Sequence, residues 1–218
     1  VTGLSVVIPS KSIGNLRACM AAVRLYDPQL PICVVDDGVA WPAPGPEAFH
    51  ILSGIKPFIY ARNCNLGIRA AGNNDVVLLN DDAQLESAGG FTAMQRAAEL
   101  HPEYGVIGAV TNVTGQPLQH PHGIGLREVP RIAFVCVLIP RRTIDRVGLL
   151  DERYCLDYGV EDDDYCEATR RAGLKVGVLD HCYVDHGRLT SSFRGDPSNP
   201  PSFARNKALF EAKWGVSP

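Results

Sequence analysis

The sequence lacks any apolar run long enough to span a bilayer, which takes about 20 residues; runs such as residues 133–140 stop well short. It lacks a basic excess. Against 21 Lys+Arg stand 24 Asp+Glu, a formal net charge of -3, and this argues against general nucleic-acid binding by phosphate neutralisation. It lacks a Cys-x-x-Cys pair, and its 7 cysteines are odd in number and partly sunk in apolar runs. They read as reduced thiols packed as small hydrophobes in a cytoplasmic protein, with none marked out as a nucleophile. The first residues, Val1-Thr2-Gly3-Leu4-Ser5, carry no charge and lead straight into a strand-like run. Neither a signal peptide nor a transmembrane anchor is expected there.

Several nucleotide and acyl-transfer motifs are missing too. No Gly-x-x-x-x-Gly-Lys-Ser/Thr loop occurs, no Gly-x-Gly-x-x-Gly follows the first strand-like run, and there is no Gly-x-Ser-x-Gly elbow. Gly123-Ile124-Gly125 comes late and without a third glycine. A bound nucleotide would therefore have to be held through a metal and carboxylates.

What is present is an ordinary globular composition, with 45% hydrophobic and 21% charged residues in 218. That is enough for one domain, or two small lobes sharing a core. Residues 4–9 form a short β-branched run, residues 15–26 repeat apolar side chains at helical spacing, and residues 31–35 form a second buried run. Strand, helix and strand without alternating polarity imply a right-handed βαβ unit and a parallel sheet. Residues 39–48 hold three prolines and read as loop. A strand is expected near residues 58–60, a brief helix at 66–71, strands at 76–79 and 105–110, and a helix at 91–100. Further on, residues 111–130 read as loop or hairpin. Strands are expected at 133–139, 175–179 and 182–185, and helices at 141–147, 162–172 and 203–214. Residues 187–202 have the composition of a mobile loop, with Arg188 and Arg194 in reach of a diphosphate on closure.

Acidic residues gather where strand-like runs end. Asp36-Asp37 closes one and Asn80-Asp81-Asp82 closes another. In a parallel sheet these ends share one edge, where ligands bind. Carboxylates converging there repel unless a cation or donors compensate, and Mg2+ or Mn2+ with substrate phosphate meets that demand. The plainer role for each pair alone is to cap a turn or helix. Glu161-Asp162-Asp163-Asp164 opens a helix. The helix dipole favours acids there, and one of them could take a proton from a hydroxyl. His186 ends a short strand and is a metal-ligand candidate. His120 and His122 read as solvated, and Met20 and Met94 as core.

Taken in order, these segments resemble family 2 glycosyltransferases of the GT-A fold. The resemblance is carried by residues 5–10, Val34-Val35-Asp36-Asp37-Gly38, residues 61–68, residues 77–82, residues 147–154, residues 159–164, Val184-Asp185-His186 and Lys213-Trp214-Gly215. It implies an α/β, Rossmann-type, mostly parallel sheet flanked by helices. It also implies one domain over residues 1–218, with about 1–82 binding donor and about 83–218 binding acceptor. Pro9, Ser10, Asp36 and Asp37 would hold the base and ribose of a nucleotide-sugar (a UDP-, GDP- or dTDP-sugar), and Arg62 and Asn65 would line the same pocket. Asp81 would lie near the ribose, and Asp82 with His186 would hold Mn2+ or Mg2+. Asp162, beside Glu161, would be the base of an inverting transfer to a glycan, lipid-linked sugar or protein. The sequence departs from the family pattern at Phe134 and Val135, where small residues are usual, and at Val160, where Gly is usual. Two other readings share these features: a non-catalytic nucleotide-sugar-binding module and a sugar nucleotidyltransferase. The second would want a more basic, Gly-rich first loop than Pro9-Ser10-Lys11-Ser12.

Overall fold

A computed structural model describes residues 2–39, 49–123, 125–154, 159–190 and 203–218. Its first strand, β1 (Leu4–Ser10), leads into α1 (Ile13–Tyr26) and then β2 (Ile32–Asp36). Ser12 caps α1 by accepting the Asn15 N–H at 3.3 Å. β3 (Phe49–Ser53), α2 (Tyr60–Ala70) and β4 (Asp75–Leu79) follow, then the two-residue β5 (Gln84–Leu85), α3 (Gly90–Leu100) and β6 (Tyr104–Thr111). A 3-10 turn (Pro117–Gln119), β7 (Leu126–Glu128), β8 (Cys136–Ile139), α4 (Arg141–Val147), α5 (Glu161–Arg171), β9 (Lys175–Asp185) and α6 (Phe203–Trp214) complete the described elements.

The strands form one 9-stranded sheet in the order β3-β2-β1-β4-β8-β6-β9-β5, with β7 on β9. Alternation along β1 feeds two cores. Leu4, Val6 and Ile8 pack with Leu16, Met20, Phe91 and Met94 under α1 and α3. Val7 packs with Ala61, Cys64 and Ile68 of α2 on the other face. The class is α/β as expected, but parallel pairing does not run through the whole sheet. β3, β2, β1 and β4 are parallel, whereas β8 is antiparallel to both β4 and β6. Beyond it, β6 and β9 are again parallel. With β8 reversed between β4 and β6, the C-terminal ends of β1, β2, β4, β6 and β9 share an edge, and β5 and β7 run antiparallel to β9.

Two local expectations change. Residues 58–60 are not a strand: Tyr60 opens α2, whose buried face of Ala61, Cys64 and Ile68 has helical spacing. The strand of this region lies earlier, at β3, just after the proline-rich stretch. The two strands expected at 175–179 and 182–185 are one. Its register against β6 jumps from Ala109↔Leu179 to Val110↔Tyr183, so an irregularity splits the apolar pattern without breaking the strand.

Close packing fixes α2 on the sheet. A Cβ at Gly67 would lie 2.2 Å from Cγ1 of Val7, a stiff β-branched neighbour. Gly67→Ala is expected to destabilise the protein by about 1–3 kcal/mol, although alanine is the better helix former by about 1 kcal/mol. Urea unfolding should show a lower midpoint at unchanged slope; a midpoint at or above that of the parent would contradict this packing.

α6 is held by the acidic run of α5. Asp164 accepts from Tyr154 Oη at 2.8 Å, Lys213 Nζ at 2.9 Å and Trp214 Nε1 at 2.7 Å. Lys213 also reaches Asp151 at 2.9 Å. Asp164 is thus the anchor of the Lys213-Trp214 pair, and removing it takes the acceptor from the buried Tyr154 hydroxyl and the half-buried Trp214 N–H. Asp164→Ala should cost about 3 kcal/mol, read as a lower unfolding midpoint. The hydrogen bonds of Arg153, and after them those of Lys213, hold the Asp151 carboxyl well below the usual range. A depressed folded value adds stability above the unfolded value near 4 and loses it as pH falls further. Asp151→Asn should therefore flatten the fall of the thermal midpoint below about pH 4.

Candidate functional site

The site grows from the common strand edge at the point where strand order reverses, between β1 and β4. Ser10, fully buried at the end of β1, donates its hydroxyl to Asp81 Oδ2 at 2.6 Å across this gap. Pro9, one residue earlier, sits in register with Val35 of β2. Asp81 and Asp82 are both nearly buried, at 3% and 4% exposure.

β5 sets the geometry of Asp82. Its pairing with β9, Gln84↔Asp185, brings the residues just before Gln84 beside those just after Asp185. His186 Nε2 consequently lies 3.2 Å from Asp82 Oδ1. The other ring nitrogen, Nδ1, lies 2.9 Å from the Val113 carbonyl. A carbonyl only accepts, so Nδ1 carries the hydrogen, and Nε2 faces the carboxylate oxygen either with its lone pair or, in the imidazolium, with a second hydrogen. Asn112 steadies this turn: its Oδ1 accepts the His186 N–H at 2.9 Å, and its Nδ2 donates to Asp185 at 3.2 Å. A proton on Nε2 satisfies this contact as a hydrogen bond, and with the neutral ring a metal ion shared by nitrogen and carboxylate does so. Neighbouring ligands on an octahedral ion with bonds of about 2.1 Å stand about 3.0 Å apart, close to the observed spacing. Asp82 and His186 therefore fit a divalent ion whose remaining positions go to other oxygens. No group of three or more His, Cys, Asp or Glu suited to a metal occurs among the described residues, so substrate oxygens and water would complete the set.

The second acidic pair is organised differently. Asp36 Oδ1 accepts the N–H groups of Gly38 at 2.8 Å and Val39 at 2.6 Å, closing a turn whose Gly38 has φ 129. Asp37, 2% exposed, is met by Lys56 Nζ at 2.8 Å and Asn63 Nδ2 at 3.1 Å. Both aspartates sit at the site edge with their carboxylates engaged by protein.

Two residues expected in the donor pocket are placed otherwise. Asn65, 1% exposed, donates to the Leu150 carbonyl and to Glu152, each at 2.9 Å, and accepts the Leu150 N–H at 3.0 Å. Its amide staples α2 to the segment before α5. The Arg62 guanidinium donates to the carbonyls of Ile55 and Pro57 and so braces the segment between β3 and α2. Arg188 pairs with Glu86 at 2.6 Å and Asp185 at 2.9 Å. Arg194 and the rest of the expected loop, residues 191–202, lie outside the described residues.

The proton-accepting candidates open α5. Glu161 and Asp162 are half-buried, and burial pushes both carboxyls up; for Glu161 the charge of Asp162 adds to this. Asp162 is partly held down by hydrogen bonds from the Asp163 N–H, at 2.9 Å, and the Phe134 N–H. Burial raises Asp163 as well, against a 3.4 Å contact from Arg131. Just before them, Val160 adopts φ 88, the left-handed conformation that Gly would take freely. For a β-branched residue this costs about 1–3 kcal/mol. Val160 is also 1% exposed, packed with Tyr154 and Phe210, and that packing holds the backbone in place.

Sequence reasoning missed Tyr60. Its hydroxyl lies 3.1 Å from Asn80 Oδ1 and 3.2 Å from the Phe134 carbonyl. It also missed Asn112, whose only signal is its position one residue past a buried strand.

No family profile and no curated protein matches the sequence. Solved structures do match the fold. One is the crystal structure of GalNAc-T7 with UDP, GalNAc and Mn2+, at TM-score 0.74 and 11% identity over 98% of this chain. Another is the mannosyltransferase PcManGT from Pyrobaculum calidifontis in complex with GDP-Man and Mn2+, at TM-score 0.66 and 14% identity over 87%. The chain spans 48% and 58% of these two proteins' lengths. No helix among the described residues is long and apolar enough to cross a membrane. The fold of this chain is the GT-A fold of glycosyltransferases.

Proposed function

We propose that this chain is a metal-dependent, inverting glycosyltransferase domain that moves a sugar from a UDP-, GDP- or dTDP-sugar to a hydroxyl of a glycan, a lipid-linked sugar or a protein. The observation that carries the reading is the 3.2 Å approach of His186 Nε2 to Asp82 Oδ1 at the switch-point edge. The nucleotides and Mn2+ named with the two structural neighbours support the same ligand class. Within the proposal, residues 1–82 serve the donor and the remainder the acceptor. The buried free cysteines support a cytoplasmic setting.

Asp82 and His186 would hold Mn2+ or Mg2+. When bound, such an ion neutralises charge on a leaving diphosphate. Ser10 fixes Asp81 toward the ribose side of the site. Asp162, whose carboxylate accepts the Asp163 N–H at 2.9 Å, accepts the proton of the attacking hydroxyl. A base on the face opposite the leaving group makes the displacement direct and inverts the anomeric centre. Incubation with Mn2+, a panel of nucleotide-sugars and mixed acceptors tests this. Release of nucleoside diphosphate with a product of inverted anomeric configuration is the expected result. A retained configuration would overturn the inverting mechanism, and no release from any donor would overturn the enzymatic reading.

A further inference from the structure

We propose that Tyr60 is a positioning residue that fixes the span between the metal-binding turn and the base; the inference rests on the glycosyl-transfer reading. Tyr60 stands at the first position of α2, and its side chain reaches across the strand edge to two elements that are far apart in sequence. One is the Asn80-Asp81-Asp82 turn, through Asn80 Oδ1 at 3.1 Å. The other is the Phe134 carbonyl at 3.2 Å. The Asp162 carboxylate lies near the N–H of that same Phe134. Phe134 thus has Tyr60 at its carbonyl and faces Asp162 at its amide. A further bond runs from the Asn80 N–H to the Val135 carbonyl at 3.0 Å, so the two segments already lie edge to edge.

The Tyr60 hydroxyl suits this task. It is half-buried, and desolvation, followed by its contact with Cys64 and the charges of Glu161 and Asp162, keeps it protonated. Its single hydrogen is shared between two acceptors, Asn80 Oδ1 and the Phe134 carbonyl. Without it, both oxygens lose that donor and the tie between the Asn80 turn and Phe134 through Tyr60 is gone. The distance between Asp162 and the ion held by Asp82 and His186 decides whether the acceptor oxygen meets the anomeric carbon in line. A misplacement of about 1 Å from a change outside the chemistry can cost about 100-fold in rate.

Tyr60→Phe keeps the ring and removes only the hydroxyl. Two readouts apply. First, hydrogen exchange at the Phe134 amide should quicken by about 10-fold while the thermal midpoint stays close to that of the parent. Unchanged exchange would overturn the proposal. Second, hydrolysis of UDP-glucose, UDP-GlcNAc or GDP-mannose with Mn2+, using whichever the parent turns over, should show kcat lower by about 10- to 100-fold with donor KM nearly unchanged. A parent-like kcat, or a loss confined to KM, would overturn the positioning role while leaving the glycosyl-transfer reading intact. A parent protein that turns over none of these donors would overturn that reading, and the role of Tyr60 with it.

Discussion

Replacing Asp82 with alanine is expected to abolish Mn2+-dependent binding of nucleoside diphosphate, weakening it by about 100-fold or more, since even partners of metal ligands cost 10- to 100-fold when removed. The side chain is 4% exposed and faces His186 Nε2 at 3.2 Å, so in the proposed site its loss removes one of the two side chains that would hold the ion. Asp82→Asn preserves the shape and removes the charge, and should weaken binding in the same direction. Thermal midpoints without metal should remain close to that of the parent for both variants. Calorimetry showing parent-like binding of UDP or GDP with Mn2+ in either variant would show that the ion sits elsewhere. His186→Ala gives an independent check, because its Nδ1 anchor on Val113 is not needed for the strand pairing that places it.

The second large effect is at Asp162. Asp162→Asn keeps the shape of the side chain and removes the proton acceptor, and turnover should fall by about 100-fold or more, with metal-dependent nucleotide binding within a few-fold of the parent. Burial raises the Asp162 carboxyl, with the Phe134 and Asp163 N–H groups opposing it. A base is inactive while protonated, so the rising limb of the pH–rate profile should lie above the ordinary carboxylate value of about 4. The same raised value means that the folded state holds a proton which the unfolded chain has released. Its contribution to stability is fully present below the unfolded value and is lost as pH rises through the folded one. If turnover survives in Asp162→Asn, the base is Glu161 or Asp163, which open the same helix.

Much of this arrangement is legible in the sequence because its signals are local. Buried β-branched runs that stop abruptly at Asp36-Asp37 and Asn80-Asp81-Asp82 announce strand ends, and the polar helix after Glu161 announces its own start. What is not legible depends on register or on distant partners. β5 is two residues long and carries no periodicity, yet its pairing with β9 brings Asp82 to His186. Nothing in residues 58–60 separates a strand from the first turn of α2, so the reach of Tyr60 to Phe134, 74 residues away, stays hidden. Asn65 shows the converse case. A motif resemblance places it in the donor pocket, but its three bonds to Leu150 and Glu152 staple one part of the fold to another. Asp164, read within a run of acids, anchors α6. Val160 shows what replaces a missing Gly: the backbone keeps φ 88 and packing against Tyr154 and Phe210 opposes the strain.

The most direct measurement is a calorimetric titration of the unmodified protein with UDP and with GDP, in Mn2+ and again in excess chelator. The account predicts saturable binding of at least one nucleotide in Mn2+ and its loss in chelator, because Asp82 and His186 would hold an ion that offsets the diphosphate charge. Binding of equal affinity in chelator, or no binding of either nucleotide in Mn2+, would contradict it.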